Sequence, residues 1–297
     1  MSLAPRVVLV HRTTEYEELT ARHGTHGQAA FFLSSRGRDI AEVAERHRRA
    51  REALTAVVSA IPLTWRQAWV ERADLDRFLF APEDVVVVVG QDGLVANVAK
   101  YLVGQPVVGI DTDPGRNPGV LVRHRPQDAG ALLASAHGGS ADELTMVEAV
   151  ADDTQRLVAL NEIYLGAAGH QTARYRLGLD EYGGAVEPQA SSGVLVGTGT
   201  GATGWLRSVW QERGGGLPLP GPTDERLLWF VREAWPSPST GTSLVAGELT
   251  ASGRLSLTVE SDRLIVFGDG MEGDAVELMW GQTVRVGVAG VRLRLVG

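Results

Sequence analysis

Val85-Val86-Val87-Val88-Val89-Gly90-Gln91-Asp92-Gly93 is the stretch that decides the fold. Five consecutive β-branched residues with no polar interruption suit a strand buried on both faces, as strands of a parallel sheet are. A strand ending in Gly-x-Asp-Gly sets its loop at the carboxyl edge of the sheet, where open α/β folds bind ligands. Downstream, Leu94, Val95, Val98, Ala99 and Leu102 mark one apolar side of a helix, and Val107-Val108-Gly109-Ile110 is the next strand. Strand, helix and strand at this spacing make a βαβ unit. Upstream, Val7 to Val10 is another candidate strand, followed by a polar stretch. Asp39 can cap a helix whose apolar positions are Ile40, Val43, Ala44, Ala50, Leu54, Val57, Val58 and Ile61. A second amphipathic pattern runs through Trp65, Trp69, Leu75, Phe78 and Leu79.

The second half reads differently. Arg254-Leu255-Ser256-Leu257-Thr258-Val259 and Val291-Arg292-Leu293-Arg294-Leu295 alternate polar with apolar residues, as half-buried antiparallel strands do. Gly214-Gly215-Gly216-Leu217-Pro218 and Trp235-Pro236-Ser237-Pro238 mark loops. The period changes between Gln127 and Leu144, so the expected domains are residues 1–135, an α/β domain, and residues 136–297, a β-rich domain.

Composition excludes several classes. Asp plus Glu number 36 against 28 Lys plus Arg, a net charge of −8, which argues against a nucleic-acid partner. A small phosphorylated ligand needs no global positive charge, because backbone N–H groups and Mg²⁺ can hold it. There is no cysteine, so disulfides and thiolate chemistry are absent. No stretch reads as a signal peptide or membrane span, and the expectation is a cytoplasmic protein without a membrane partner.

Three segments carry candidate chemistry. In the first, Gly90 and Gly93 let the backbone approach a phosphate, and Asp92 stands beside it to bind Mg²⁺ or accept a proton. The plainer reading is a tight turn in which Asp92 caps the helix. In the second, Gly197-Thr198-Gly199-Thr200-Gly201-Ala202-Thr203-Gly204-Trp205, open N–H groups and hydroxyls suit ribose or phosphate oxygens, and Trp205 can stack on a base. It lacks the Lys-Ser/Thr pair of a Walker A loop, and a flexible connection would also account for it. The third is Leu160-Asn161-Glu162-Ile163, polar residues inside a strand pattern, for which the plainer reading is an edge-strand pair facing water.

Taken in order, these segments resemble the NAD kinase family. That family has a Gly-Gly-Asp-Gly loop after a strand, then an Asn-Glu/Asp pair, a Thr-Pro-Thr-Gly-Ser-Thr-Ala-Tyr segment and a late Asp-Gly. The counterparts here are Gly90–Gly93, Asn161-Glu162, Thr198 to Trp205, and Asp269-Gly270, spanning Val85 to Val286. The resemblance implies a Rossmann-like α/β domain with a parallel sheet, then an all-β, sandwich-like domain, with the active site in the cleft between them. It implies transfer of the γ-phosphoryl of ATP, with Mg²⁺, to the 2′-hydroxyl of NAD's adenosine ribose, in a homodimer or homotetramer. Asp92 is then the base, and Gly90, Gln91, Gly93, Thr198, Thr200 and Gly201 hold nucleotide and phosphate. Asn161, Glu162, Thr203, Trp205 and Asp269 hold the substrate.

The departures cluster in the same places. Gln91 replaces the second glycine, Ser192 stands where the family's Ser-Asp-Gly has its acid, Gly204 replaces Ala, and Trp205 replaces Tyr. The family's Gly-Ile-Asn-x-Gly becomes Gly109-Ile110-Asp111-Thr112-Asp113, before a loop with Pro114, Gly115, Asn117, Pro118 and Gly119. The expected function is an ATP-dependent kinase of a hydroxyl on NAD or a related small metabolite. Two alternatives accompany it: a lipid kinase of the diacylglycerol or sphingosine type, and a nucleotide-binding regulator without catalysis. Asp111 and Asp113 suit Mg²⁺ as an Asp-x-Asp step, or are two solvated loop acids. His23 and His26 could contact phosphate from a mobile N-terminal loop, though the plainer reading is a pair of surface groups, and residues Glu42 to Glu52 read as a solvated mixed-charge helix face.

Overall fold

A computed structural model describes residues 5–116, 119–136, 138–152, 154–179 and 186–297; Asn117 and Pro118 of the loop after Asp113 lie outside them. The chain divides into two compact units, Met1–Asp142 with Arg294–Gly297, and Glu143–Leu293.

The first unit is α/β. Its elements are β1 (Arg6–His11), α1 (Glu15–His23), α2 (His26–Ser34), α3 (Ile40–Ala60), β2 (Arg66–Glu71), β3 (Asp84–Gly90), α4 (Asp92–Ala99), β4 (Pro106–Asp111) and α5 (Ala129–Ser135). The strands run parallel in the order β2-β1-β3-β4. Val85, Val86, Val87 and Val88 are each 0% exposed, so both faces of β3 are covered, as the unbroken valine run requires. Val7, Leu9, Val85 and Val87 share one cluster with Leu54 and Val57 of α3 and Leu132 and Leu133 of α5. Asp39 caps α3, its side chain accepting the N–H of Ala41.

Two expectations fail in this unit. The polar stretch after β1 forms α1 and α2, and His23 and His26 end one helix and begin the next rather than sitting on a loop. The pattern from Trp65 to Leu79 is no helix. It holds β2, which among the described residues pairs only with β1, followed by a 3-10 turn over Arg72–Arg77. The spacing of four between Trp65 and Trp69 straddles the start of that strand, which is why it imitates a helical period.

The second unit is built almost entirely of strands. They are β5 (Ala141–Ala151), β6 (Gln155–Ala159), β7 (Glu162–Gly166), β8 (Ala173–Leu179), β9 (Glu187–Ser191) and β10 (Gly193–Gly197); helix α6 (Trp205–Glu212); then β11 (Leu227–Arg232), β12 (Ala246–Leu249), β13 (Arg254–Val259), β14 (Arg263–Gly268), β15 (Met271–Met279) and β16 (Thr283–Val296). One sheet has the antiparallel order β12-β11-β10-β7-β14-β15. The other pairs β16 with β13, β13 with β8 and β8 with β9, all antiparallel, and β5 joins it through β16. Tyr175, Leu177, Leu255 and Leu257 of this sheet pack with Ile163, Leu165, Val194 and Trp229 of the six-stranded one. That is a sandwich core, and the alternation of Arg254–Val259 is its signature. The end of β16 returns to the first unit, where Arg294 and Leu295 pair in parallel with Pro106 and Val107 of β4. Among the described residues, no helix is long and apolar enough to cross a membrane.

Candidate functional site

In the second unit three segments far apart in sequence meet at the start of β7. The hairpin between β14 and β15 turns at Asp269-Gly270, both at positive φ, 54° and 66°. An Asp-Gly pair tolerates this left-handed backbone, and it is the expected turn between antiparallel strands. The turn aims the Asp269 carboxylate at the preceding backbone of β7: it accepts the N–H of Leu160 at 2.8 Å and of Asn161 at 2.7 Å. In return, the Asp269 N–H donates to the carbonyl of Glu162 at 3.1 Å.

The Thr-Gly segment closes the knot from the other side. The Thr198 N–H donates to the Asn161 carbonyl at 2.9 Å, and its hydroxyl donates to the Leu160 carbonyl at 2.6 Å. The same hydroxyl accepts the N–H of Thr200 at 3.1 Å. Gly201 has to be glycine, because a Cβ there would stand 2.3 Å from the Asn161 carbonyl oxygen and 3.1 Å from Glu162 Oε2. The segment is therefore a packed, hydrogen-bonded turn and not a flexible connection.

Glu162 is the chemically distinctive group. Strand β7 lies between β10 and β14, so the reading of an edge-strand pair facing water is wrong. Glu162 is 9% exposed, and its carboxyl has no hydrogen-bond partner among the described residues. Burial first, and then the charge of nearby Asp269, push its pKa up to about 8. Glu162 is thus mainly a neutral acid at pH 7, able to donate as well as accept a hydrogen bond. Thr200, 2% exposed, also keeps a buried hydroxyl without a partner.

Other residues expected at the site are committed elsewhere. Thr203 is exposed, and its hydroxyl donates to the Thr200 carbonyl at 2.9 Å. The ring of Trp205, expected to receive a base, stacks on Tyr164 at 5.6 Å, with the Arg232 guanidinium 5.5 Å from its centroid. Tyr164 in turn donates its hydroxyl to the Ser192 carbonyl at 2.7 Å. Neither Tyr164 nor Arg232 was legible as a neighbour of Trp205, because only the register of β7, β10 and β11 brings them to it.

In the first unit, Gly90 lies opposite Asp111 at the carboxyl edge of the sheet. Gln91 is the N-cap of α4 but makes no side-chain cap bond, and Asp92 opens the helix. Asp92 does not cap the helix. Its Oδ1 accepts the N–H of Leu121 at 2.8 Å and of Val122 at 2.9 Å, and its Oδ2 that of Val120 at 3.0 Å. A Cβ on Gly93 would meet no protein atom within 4 Å, so nothing in the fold itself demands glycine there.

Asp111 and Asp113, expected as a Mg²⁺ pair, both make bonds within the protein. Asp113 Oδ1 accepts Arg49 Nη1 at 2.6 Å, and Asp111 Oδ1 accepts the Asp113 N–H at 2.8 Å. Asp113 is thus paired with a guanidinium, although its Oδ2 is buried without a partner, and no group of three or more His, Asp or Glu side chains suited to a metal occurs among the described residues. The mixed-charge face of α3 is correspondingly not all solvated, since Arg49 pairs with Asp113 and Arg46 with Glu15.

With this geometry in view, the likeness of the whole chain is informative. No protein-family model matches it, and no curated protein matches it by sequence. Its structure superimposes on the crystal structure of an NAD kinase from Archaeoglobus fulgidus in complex with ATP, with a TM-score of 0.58 and 17% identity, over 98% of this chain and 93% of that one. The fold is NAD kinase-like. The α/β unit followed by a β-rich unit, expected from the four ordered motifs, is what that two-domain fold contains. At this identity the likeness describes architecture, and the chemistry has to be argued from the side chains.

Proposed function

We propose that this chain is an ATP-dependent phosphotransferase acting on a hydroxyl of NAD or a related small metabolite. The observation that carries the reading is the knot in the second unit. Thr198 and Asp269 stand 37 and 108 positions beyond Asn161, yet Asn161-Glu162, Thr198 to Gly201 and Asp269 are bonded together around an unpartnered Glu162 carboxyl and an unpartnered Thr200 hydroxyl. Buried polar groups without protein partners are rare, and a polyhydroxylated ligand such as a ribose would satisfy both.

In this reading Glu162 and Thr200 bind substrate hydroxyls, and Asp92 accepts the proton. The acceptor oxygen attacks the γ-phosphorus of ATP, its proton passes to Asp92, and the bond to the bridging oxygen breaks to release ADP. A carboxylate offers about four lone-pair sites, and Asp92 uses three on backbone N–H groups, so one on Oδ2 remains for the hydroxyl proton. With Asp113 paired to Arg49, no step is assigned to Mg²⁺ held by Asp111 and Asp113; the assay supplies it with the nucleotide. Purified protein with ATP, Mg²⁺ and NAD should form NADP and ADP in equal amounts. No NADP, together with no phosphorylated product from a panel of nucleosides, sugars and polyols, would sink the proposal.

One observation favours a second reading, a nucleotide-binding regulator without catalysis. Asp92 acts as a strut for residues 120–122, and Gln91 adds a side chain where the family has glycine. Tight binding of NAD or ATP by calorimetry, with no turnover in the same panel, would select it.

A further inference from the structure

The hairpin of α1 and α2 carries a feature unrelated to the knot. A pocket of about 560 Å³ opens between the end of α1 and the outer face of α2, lined by Arg22, His23, Gln28, Phe31, Phe32 and Arg36, among others, with no acidic residue in its wall. Its volume is within the range of small-molecule sites, roughly 300–1,000 Å³. Phe32 is already covered: the His23 ring lies 4.3 Å from it and the Arg36 guanidinium 3.8 Å. Phe31 is not. It is 78% exposed and has no ring contact among the described residues.

The charges are equally unmatched. Arg22 and Arg36 make no ion pair among the described residues, whereas most other arginines of this unit do. Arg36 spends Nη1 on the Phe32 carbonyl and the Ser35 hydroxyl, leaving Nε and Nη2 without a hydrogen bond. In a chain of net charge −8, two unpaired guanidinium groups beside a bare aromatic ring form an isolated positive, stacking surface. Guanidinium forks match phosphate oxygens, and an exposed phenyl face matches a planar base. His23 Nε2, buried without a partner, adds one more polar atom in this pocket.

We infer that this pocket is a binding site for a free nucleotide, with the base stacked on Phe31 and the phosphates held by Arg22 and Arg36. The site lies wholly within residues 22–36 and does not depend on the transfer chemistry proposed above.

Photolabelling of the full chain with 8-azido-ATP, without Mg²⁺, followed by peptide mapping tests it. Label should appear within residues 22–36 and be displaced by excess ATP. The Arg22→Ser/Arg36→Ser variant and, separately, Phe31→Ala should each lower that labelling at least tenfold. The melting temperature should stay the same, since these side chains are exposed. Label confined to other peptides, or unchanged in both variants, would overturn the inference. Displacement by inorganic triphosphate as effective as by ATP would show that the ring is not used, and displacement by a polyglutamate peptide below the ATP concentration would assign the surface to a protein; either result overturns it. Loss of phosphoryl transfer leaves this readout untouched, so the two proposals fail separately.

Discussion

Asp92 in the first unit and Glu162 in the second are both acids beside a strand end, and the fold uses them in opposite ways. Asp92 accepts three backbone N–H groups and braces a loop. Glu162 accepts none, is buried to the same degree as core residues, and sits near a second acid already anchored by two N–H groups. The first arrangement uses the carboxylate oxygens to hold a loop. The second discourages charge and leaves the carboxyl unused by the fold, which is the usual mark of a group kept for a ligand.

The sharpest way to break this contrast is at Asp92. As a base it should lose about 10²- to 10⁴-fold in kcat on Asp92→Asn, with KM little changed. The amide keeps one acceptor oxygen for the loop, so the melting temperature should fall only modestly. Full activity would leave Asp92 as a strut alone.

Next comes the pH dependence of Glu162. Its folded pKa is raised to about 8 from the ordinary 4.5, so the folded state binds the extra proton between those values. Stability from this group is therefore complete below about pH 4.5 and is lost as pH rises toward 8, on the order of 1 kcal/mol per pH unit. Glu162→Gln, neutral at every pH, should remove that slope. Urea melts of both proteins at pH 5 and pH 8.5 measure it, and parallel curves would show that Glu162 is not buried as described.

Asp269→Ala should cost about 2–3 kcal/mol, because the N–H groups of Leu160 and Asn161 lose a charged acceptor. It should also lessen the pH slope, since the charge of Asp269 helps to raise the pKa of Glu162. Thr200→Val has the smallest effect on folding. Removing an unpartnered buried hydroxyl should leave stability unchanged or higher by less than about 1 kcal/mol, while substrate KM rises.

The sequence made the backbone of the fold legible where signals were local. The valine run, the Asp39 cap and the alternation of Arg254–Val259 each depend on neighbours within a few residues, and each forms as expected. The hairpin of α1 and α2 was missed because it buries few apolar residues, only Leu19 in α1 and Ala29 and Leu33 in α2. Its caps were nevertheless written in Thr14-x-x-Glu17 and Thr25-x-x-Gln28. The motif residues of the knot were legible one by one, but not their mutual bonding, which requires β7 to pair with β10 and β14 across long stretches of chain. The pairing of Arg49 with Asp113, 64 positions apart, left no trace in a helix face that looks solvated.

The return of β16 to the first unit has a consequence for synthesis. Strand β4 pairs with β3 and is bridged at Ile110 by His124, but Pro106 and Val107 also pair with Arg294 and Leu295, and His124 Nε2 meets the Val296 carbonyl at 3.0 Å. A ribosome delivers those residues well after the parallel sheet has emerged. The nascent first unit therefore waits for the partners of Pro106 and Val107 while some 180 further residues are made, at roughly 5–20 residues per second. Throughout that interval the start of β4, at Pro106 and Val107, is a sheet edge, the kind of surface that chaperones cover and that other chains can join.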